Sequence, residues 1–121
     1  MSQEYNAYSL IPYYFVAKNL DIFVSNTETI VLDNVYCGAV TTFALTIKNK
    51  NSSGKITNVS VYGTPNDVDY FIVNNDLFPN GITHNNIDHT EFYALVGKMR
   101  VTVTTDTSEL NLDVYLRGTT T

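Results

Sequence analysis

The stretch that decides the fold is LDNVYCGAVTTFALTIKNKN, residues 32–51. After a short apolar run and Gly38, apolar residues occupy every second position. The apolar positions of this alternation are Phe43, Leu45 and Ile47. A period of two places them on one face of a β-strand. The Asn-, Ser- and Gly-rich residues 49–54 then predict a tight turn.

The same alternation recurs along the chain, separated by turn residues about every 8–12 positions. The segments that show it are 29–32, 41–48, 56–62, 68–73, 89–96, 99–105 and 110–116. The strongest helical candidate, residues 16–22, is too short to be a stable helix. We therefore predict an all-β fold, an antiparallel β-sandwich of about seven strands. We divide the chain into an aromatic-rich N-terminal arm, residues 1–27, and a sandwich domain, residues 28–121.

Composition limits the functions that the chain can have. The 121 residues suit one domain, and the net charge of -5 argues against binding to a phosphate backbone. Only 16% of the residues are charged, which lowers the desolvation penalty of a surface that contacts another protein. AT-rich coding, which favours Asn, Ile and Tyr, explains the same composition equally well.

The sequence carries no targeting or redox signal. With one cysteine, Cys37, no intrachain disulfide can form, and a thiol beside Gly38 is most often a small buried hydrophobe. The first residues lack a basic region followed by a long apolar run, so we expect no signal peptide and no membrane partner. We expect the protein to be made in a reducing cytoplasm.

Few residues suggest chemistry. His84 and His89 have Asp88 nearby, but neighbouring positions of a strand point to opposite faces, which separates adjacent metal ligands. Asp67 and Asp69 more closely resemble a turn that opens a strand than a calcium loop. Glycine-rich phosphate loops and nucleophile elbows are absent from the sequence. We expect no enzyme activity, no cofactor, no metal and no nucleic-acid partner.

Residues 32–63 resemble the opening of immunoglobulin-like domains of the ASPM/SPD-2/Hydin type (ASH or MSP-like). The resemblance continues through a Phe-centred strand at Phe71, a Pro-Gly corner at residues 77–81 and a closing strand that ends at Gly118. It covers residues 28–119, and it implies an immunoglobulin-like sandwich with a non-enzymatic scaffolding role. Similar domains occur in phage virion accessory proteins. The positions to which it assigns a structural role are Val35, Gly38, Phe43, Leu45, Ile47, Phe71 and Gly118.

The N-terminal segment is the strongest candidate for a binding element. Large aromatic and aliphatic side chains are concentrated here, and such residues are enriched in interface cores. The candidate partner-binding residues are Tyr5, Tyr8, Ile11, Tyr13, Tyr14 and Phe15. The segment is interpreted either as a strap or extra strand that covers the sandwich, or as an arm that docks on a neighbouring subunit.

These observations favour a structural protein of a virus particle. The specific hypothesis is a phage capsid-decoration protein, or another head or tail accessory protein, that binds other virion proteins or its own copies. One alternative is a cellular adaptor that binds peptides by strand addition. Another is a carbohydrate-binding or adhesion module whose exposed tyrosines form a flat row on one sheet; the candidates are Tyr62, Tyr70, Tyr93 and Tyr115.

Overall fold

The structure, a computed structural model, describes residues 14–119, and of Tyr14 only the backbone. Within this range the chain forms β-strands and no helix. The strands are β1 (Tyr14–Val24), β2 (Thr29–Tyr36), β3 (Thr42–Asn49), β4 (Lys55–Thr64), β5 (Phe71–Asn74), β6 (Ile82–Thr83), β7 (Asn86–Tyr93), β8 (Lys98–Thr105) and β9 (Leu110–Thr119). The described range therefore contains no helix that could cross a membrane.

The strands form two antiparallel sheets. Sheet A has the order β1-β9-β3-β7, and sheet B has the order β2-β8-β4-β5, with the short β6 also paired to β4. The pairs are nested, because β1 pairs with β9, β2 with β8, β3 with β7 and β4 with β5. Successive nested pairs belong alternately to sheet A and to sheet B. This is the connectivity of a jelly roll.

The predicted fold class, an all-β antiparallel sandwich, is confirmed, and of the strap or extra strand expected at the N-terminus the structure shows an extra strand. The extra strand is β1, which pairs with β9 along an edge of sheet A. The strand order differs from that of an immunoglobulin domain, because β9 lies between β1 and β3. Alternation along a strand reports which face is buried, and it carries no information on which strand lies beside which.

The core lies between the two sheets and comes mainly from their four central strands. Its fully buried side chains include Phe43, Leu45, Ile47, Ile56, Val59, Val61, Met99, Val101, Leu112 and Leu116. Phe43 stacks on Phe92 of β7, with 5.4 Å between ring centroids, and meets Phe15 of β1 edge-on at 6.1 Å. The aromatic contacts thus tie both edge strands of sheet A to its centre.

The turn after β3 is held by a buried amide. Asn49 is fully buried, and its Nδ2 donates to the carbonyl oxygens of Gly54 (3.3 Å) and Ile82 (3.1 Å). Its Oδ1 accepts a hydrogen bond from the Asn51 amide at 3.1 Å. Because each polar atom of the side chain has a partner, burial carries little penalty. This amide joins the β3–β4 turn to β6.

The corner before β3 differs in detail from the expectation. The strand at residue 29 does not end at Leu32 but continues to Tyr36, and Asn34, with φ 53°, makes a bulge within it. The turn comes later, where the Val40 amide donates to the Cys37 carbonyl at 2.9 Å. Gly38 sits in this turn with φ 54°, the left-handed region that favours glycine.

The strand predicted at residues 68–73 is also shifted. Residues 66–69 form a turn in which Asn66 Oδ1 accepts from the amides of Val68 (3.0 Å) and Asp69 (2.9 Å), and β5 begins only at Phe71. Phe71 does not lie in the core, because it is 46% exposed. The reason is that β5 is a four-residue edge strand. The Phe71 ring lies against Gly63, whose missing side chain leaves room for it.

Candidate interaction surfaces

The first candidate surface is the outer side of β1, an edge strand of sheet A. Its exposed apolar side chains are Val16 (52%), Leu20 and Phe23 (62%). The strand contains no proline, and Lys18 and Asp21 are its only charged residues. A long edge strand with apolar exposed side chains is the type of edge that pairs with another chain. β1 therefore has the chemistry of a contact surface.

A bulge divides β1 into two regular parts. The register with β9 shifts between Asn19 and Ile22, and Asp21 has φ 55°. The Asp21 amide donates to Asp113 Oδ1 at 2.8 Å, and Lys50 Nζ pairs with both carboxylates, lying 2.9 Å from that of Asp113. Burial on its own would raise the pKa of Asp113, but these two partners hold it below its usual value. The Asp113 carboxylate and the Lys50 ammonium thus hold the bulge in place.

Phe15 attaches the start of β1 to the sheet. Its ring packs against the core and lies over Gly118 of β9, where a Cβ atom would come within 2.7 Å of it. Phe15 is thus half-buried and serves packing within this chain. Of the other candidate partner-binding residues, Tyr14 is described by its backbone alone. The rest lie outside the described residues: Tyr5, Tyr8, Ile11 and Tyr13.

The second candidate surface is a depression of about 300 Å³ on the outer face of sheet B. Its lining residues are Glu28, Ile30, Tyr62, Tyr70, Arg100 and Thr102. The hydroxyls of Tyr62 (2.6 Å) and Thr102 (2.7 Å) donate to Glu28 Oε2. These hydrogen bonds stabilise the carboxylate and hold the pKa of Glu28 below its usual value.

An arginine and an aromatic ring form the other side of this depression. The Arg100 guanidinium lies 4.1 Å from the centroid of the Tyr70 ring, and its Nε donates to Asp33 Oδ1 at 2.9 Å. A side chain stacked on a ring and bonded to a carboxylate is held in place. The depression therefore combines a fixed cation, an anion and two aromatic side chains.

The four tyrosines proposed as a row do not share a sheet. Tyr62 and Tyr70 line the depression on sheet B, whereas Tyr93 and Tyr115 belong to β7 and β9 of sheet A. The prediction of a flat row of tyrosines on one sheet face is therefore wrong, although Tyr62 and Tyr70 do come together. The separation follows from the strand order, which the alternation of the sequence does not reveal.

The carboxylates considered for metal chemistry are engaged otherwise. Residues 14–119 contain no group of three or more His, Cys, Asp and Glu side chains placed to hold a metal. Asp88 Oδ1 accepts a hydrogen bond from the His89 amide at 2.8 Å. Asp67 pairs with Lys98 at 2.8 Å, and Asp69 accepts from Asn66 at 2.8 Å. The region around Asp67 thus forms an Asx-type turn.

Cys37 is sealed inside the sandwich. It is 1% exposed, its Sγ lies 3.4 Å from the Val35 carbonyl oxygen, and burial raises its pKa to about 11. The half-buried Val35 packs beside the core at the same corner. A neutral, inaccessible thiol is a poor nucleophile. Cys37 is a packing residue here.

Sequence reasoning named Tyr62 and Tyr70 but missed the charged residues of the sheet-B depression. Glu28 and Arg100 lie 72 positions apart and are brought together only through the pairing of β8 with its neighbours. A signal was present in Arg100 and Tyr70, a cation and an aromatic residue in a weakly charged chain. Without the strand order, that signal could not be assigned to a site.

Comparison with known proteins gives likeness of fold. No family model and no curated protein matches the chain. A subunit of the disulfide-linked pili of Bacillus endospore appendages matches with a TM-score of 0.51 and 11% identity, over 99% of this chain and all of that one. The likeness to this subunit shows a common β-fold.

Two further structures are less similar. The CBM22-1–GH10 fragment of Clostridium thermocellum xylanase 10B gives a TM-score of 0.44 and 9% identity, over 93% of this chain and 25% of that one. The structure of infectious bursal disease virus strain Gx gives 0.40 and 14% identity, over 90% of this chain and 30% of that one. Neither level of similarity carries a functional argument.

Proposed function

We propose that this protein is a non-enzymatic structural subunit that docks on neighbouring proteins, and specifically an accessory protein of a virus particle. Within that class, the proposal is a phage capsid-decoration protein or another head or tail accessory protein. The observation that carries the proposal is the exposed apolar edge of β1. This edge directly follows the Tyr-rich residues 1–13, so one continuous segment of chain carries both elements.

The fold supports a role in assembly. The Bacillus subunit that this chain resembles over its whole length forms pili. Those pili are disulfide-linked, and a continuous series of disulfides requires at least two cysteines in each subunit. This sequence has one, and it is buried. We therefore propose contacts that are non-covalent and rest on buried apolar area and strand pairing.

The proposal is tested on purified virus particles from the source of this sequence. Mass spectrometry should find the chain at a constant ratio to the major capsid or tail protein. The purified chain should also sediment with particles that lack it, and the double variant Val16→Ser/Phe23→Ser should sediment at least about tenfold more weakly. The matched control is Val68→Ser, which changes an exposed valine outside β1. Absence of the chain from particles would contradict the proposal.

A second candidate function is glycan binding at the sheet-B depression. The observation that favours it is the placement of Tyr70, Arg100 and Glu28 around one open volume. Hydroxyl groups can bond to the carboxylate and the guanidinium, while a sugar ring can pack on an aromatic face. A glycan array with the wild type, Tyr70→Ala and the control Tyr36→Ala, another exposed tyrosine, tests it. Binding that is lost only in Tyr70→Ala supports it, and no binding by the wild type removes it.

A further inference from the structure

We propose that sheet A continues from one copy of the protein to the next through pairing of β1 with β7. In this contact Val16 of one copy lies opposite Tyr93 of the other, and Lys18 lies opposite Glu91. The inference rests on the proposed assembly role, and it names the partner of the β1 edge as a second copy of this chain.

Edge geometry selects these two strands. Among the described strands, β1 and β7 are the edges of sheet A, and β2 and β5 are the outer members of sheet B. β2 is interrupted by two register shifts, and β5 has four residues, features that protect an edge from pairing. β7, in contrast, pairs with β3 over eight consecutive residues without a shift. β1 is equally regular from Tyr14 to Asn19.

Strand direction permits the contact. The strands of sheet A alternate in direction, because each neighbouring pair is antiparallel. With four strands in the sheet, β1 and β7 run in opposite directions. A copy displaced across the sheet therefore presents its β1 antiparallel to β7 of the first copy, with the outer faces aligned. The sheet can thus continue without reversal of the subunit.

The backbone groups at the two edges also match. The Ala94 amide, just after β7, donates to the carbonyl of Thr41, just before β3, at 2.9 Å. Backbone groups alternate in direction along a strand, so those of Tyr93 and Glu91 point away from β3, to the open edge. The Lys50 amide donates to the Asn111 carbonyl at 3.0 Å, which directs odd-numbered residues of β9 to β3 and even-numbered ones to β1.

The pairing of β1 with β9 carries this alternation to the other edge. Ala17 pairs with Leu116, an even-numbered residue, so Ala17 turns its backbone groups towards β9. Val16 and Lys18 consequently direct theirs outward. Residues with outward backbone groups on both strands can then face each other as hydrogen-bonded pairs. The proposed register meets this requirement at both of its outer-face pairs.

Side-chain chemistry selects the register. Lys18 and Glu91 form no ion pair with any residue of the described range, and both lie on the outer face of sheet A. Placing them opposite each other pairs opposite charges across the junction. The same register sets Val16 against Tyr93, so two exposed apolar side chains cover each other.

Both strands limit the contact to about four residue pairs. On β1 the regular stretch ends at the bulge after Asn19. On β7 the next outward amide, that of His89, is already bonded to Asp88 Oδ1. The contact uses a different surface on each subunit, so it is heterologous and continues as an open row or closes as a ring. A junction this short is weak, with a dissociation constant on the order of 0.1 mM in free solution.

The experiment measures self-association of the full chain by sedimentation velocity from about 10 µM to 1 mM, a range that brackets the expected affinity. Lys18→Glu and Glu91→Lys should each weaken association at least about tenfold, because each places like charges opposite each other. An equimolar mixture of the two should recover it through alternation of the copies, since every junction between unlike copies has one Glu and one Lys. Glu109→Lys, in an exposed turn, is the matched charge control and should behave as the wild type.

Cysteine pairing tests the register itself, in a Cys37→Ser background. Val16→Cys and Tyr93→Cys copies mixed under oxidation should form a mixed disulfide, because a hydrogen-bonded pair has Cα atoms about 5.5 Å apart. Val16→Cys with Ile87→Cys, six residues away, should not.

Three results would overturn the inference: a wild type that stays monomeric at 1 mM, unchanged association in both charge variants, or a mixture that fails to recover. None of these results would contradict the proposed function, because virion incorporation is measured separately.

Discussion

At the scale of single residues, the outer face of sheet B is held by charge-assisted hydrogen bonds. Glu28 accepts two hydroxyl donors, and Arg100 is fixed between Asp33 and the ring of Tyr70. Exposed pairs contribute little free energy. Their effect is to set the shape of the depression.

The carboxylate of Glu28 makes stability depend on pH. Its folded-state pKa is lowered by Tyr62 and Thr102, so its contribution is present above the unfolded value of about 4.3 and is lost as pH falls through the folded pKa. Glu28→Gln should therefore lower the free energy of unfolding at pH 7 by up to ~1 kcal/mol and have a smaller effect at pH 3. Urea titrations at both pH values measure this, and an equal loss at both would contradict it.

Gly38 tests the corner before β3. Its φ of 54° is strained for residues with a side chain, and an added Cβ would lie 3.3 Å from the ring of Tyr36. Gly38→Ala should cost ~1 kcal/mol of unfolding free energy. Gly38→Asn is the control, because asparagine tolerates left-handed backbone at the same steric contact and should cost less. Chemical denaturation ranks the two, and equal costs would refute backbone strain as the cause.

At the scale of elements, β1 joins the sheet through its pairing with β9 and through Phe15. The aromatic contact of Phe15 with Phe43 is possible because Gly118 leaves space beneath the ring. The same strand carries the exposed edge at which we propose assembly. Its attachment to the fold depends on the edge that pairs with β9 and on the inner face that carries Phe15, whereas its availability for a partner depends on the opposite edge and the outer face.

Gly118→Ala tests that attachment. A Cβ there would come within 2.4 Å of Val40 and 2.7 Å of Phe15, so the variant is overpacked and should lose ~1–3 kcal/mol. Amide exchange should accelerate first in β1 and in the corner before β3, where the added Cβ meets Phe15 and Val40. Adding Phe15→Leu should recover part of the loss. Uniform acceleration across both sheets would contradict a local effect.

At the scale of the whole molecule, the jelly roll pairs the two ends of the described chain. Tyr14 is opposite Thr119 in register, and β9 separates β1 from β3 in sheet A. Sheet A is therefore complete only after the last strand has been inserted. Loop-closure entropy must be overcome before such distant contacts stabilise the fold.

Refolding should accordingly be slow for a chain of this size. We expect a time constant in the millisecond-to-second range, typical of all-β domains with distant pairings. Stopped-flow dilution from urea, followed by tyrosine fluorescence, measures it. Refolding in microseconds would contradict this topology.

The core between the sheets is tested by Leu45, which is fully buried in β3. Leu45→Ala should lower the free energy of unfolding by ~2–5 kcal/mol, whereas Val68→Ala should stay within ~0.5 kcal/mol.

A feature of this fold could be predicted from the sequence when it depends on local properties of the residues. The alternation of Phe43, Leu45 and Ile47 was enough to predict a sandwich, because burial of one face is a local property with a period of two. The positive φ of Gly38 is likewise a local property, since a tight corner restricts the backbone there. These features do not depend on which strands become neighbours.

Only the tertiary structure decided the strand order, and with it the sheet-B depression and the edge position of β1. Pairing of distant strands is set by the combined packing of both sheets, so no local pattern revealed that Glu28 and Arg100 share a depression or that β1 and β7 bound one sheet. The exposure of Phe71 could not be predicted, because its apolar character is local whereas its exposure depends on β5 being an edge. The sequence by itself determined that this chain buries one face of each strand; the rolled topology determined which faces remain open to a partner.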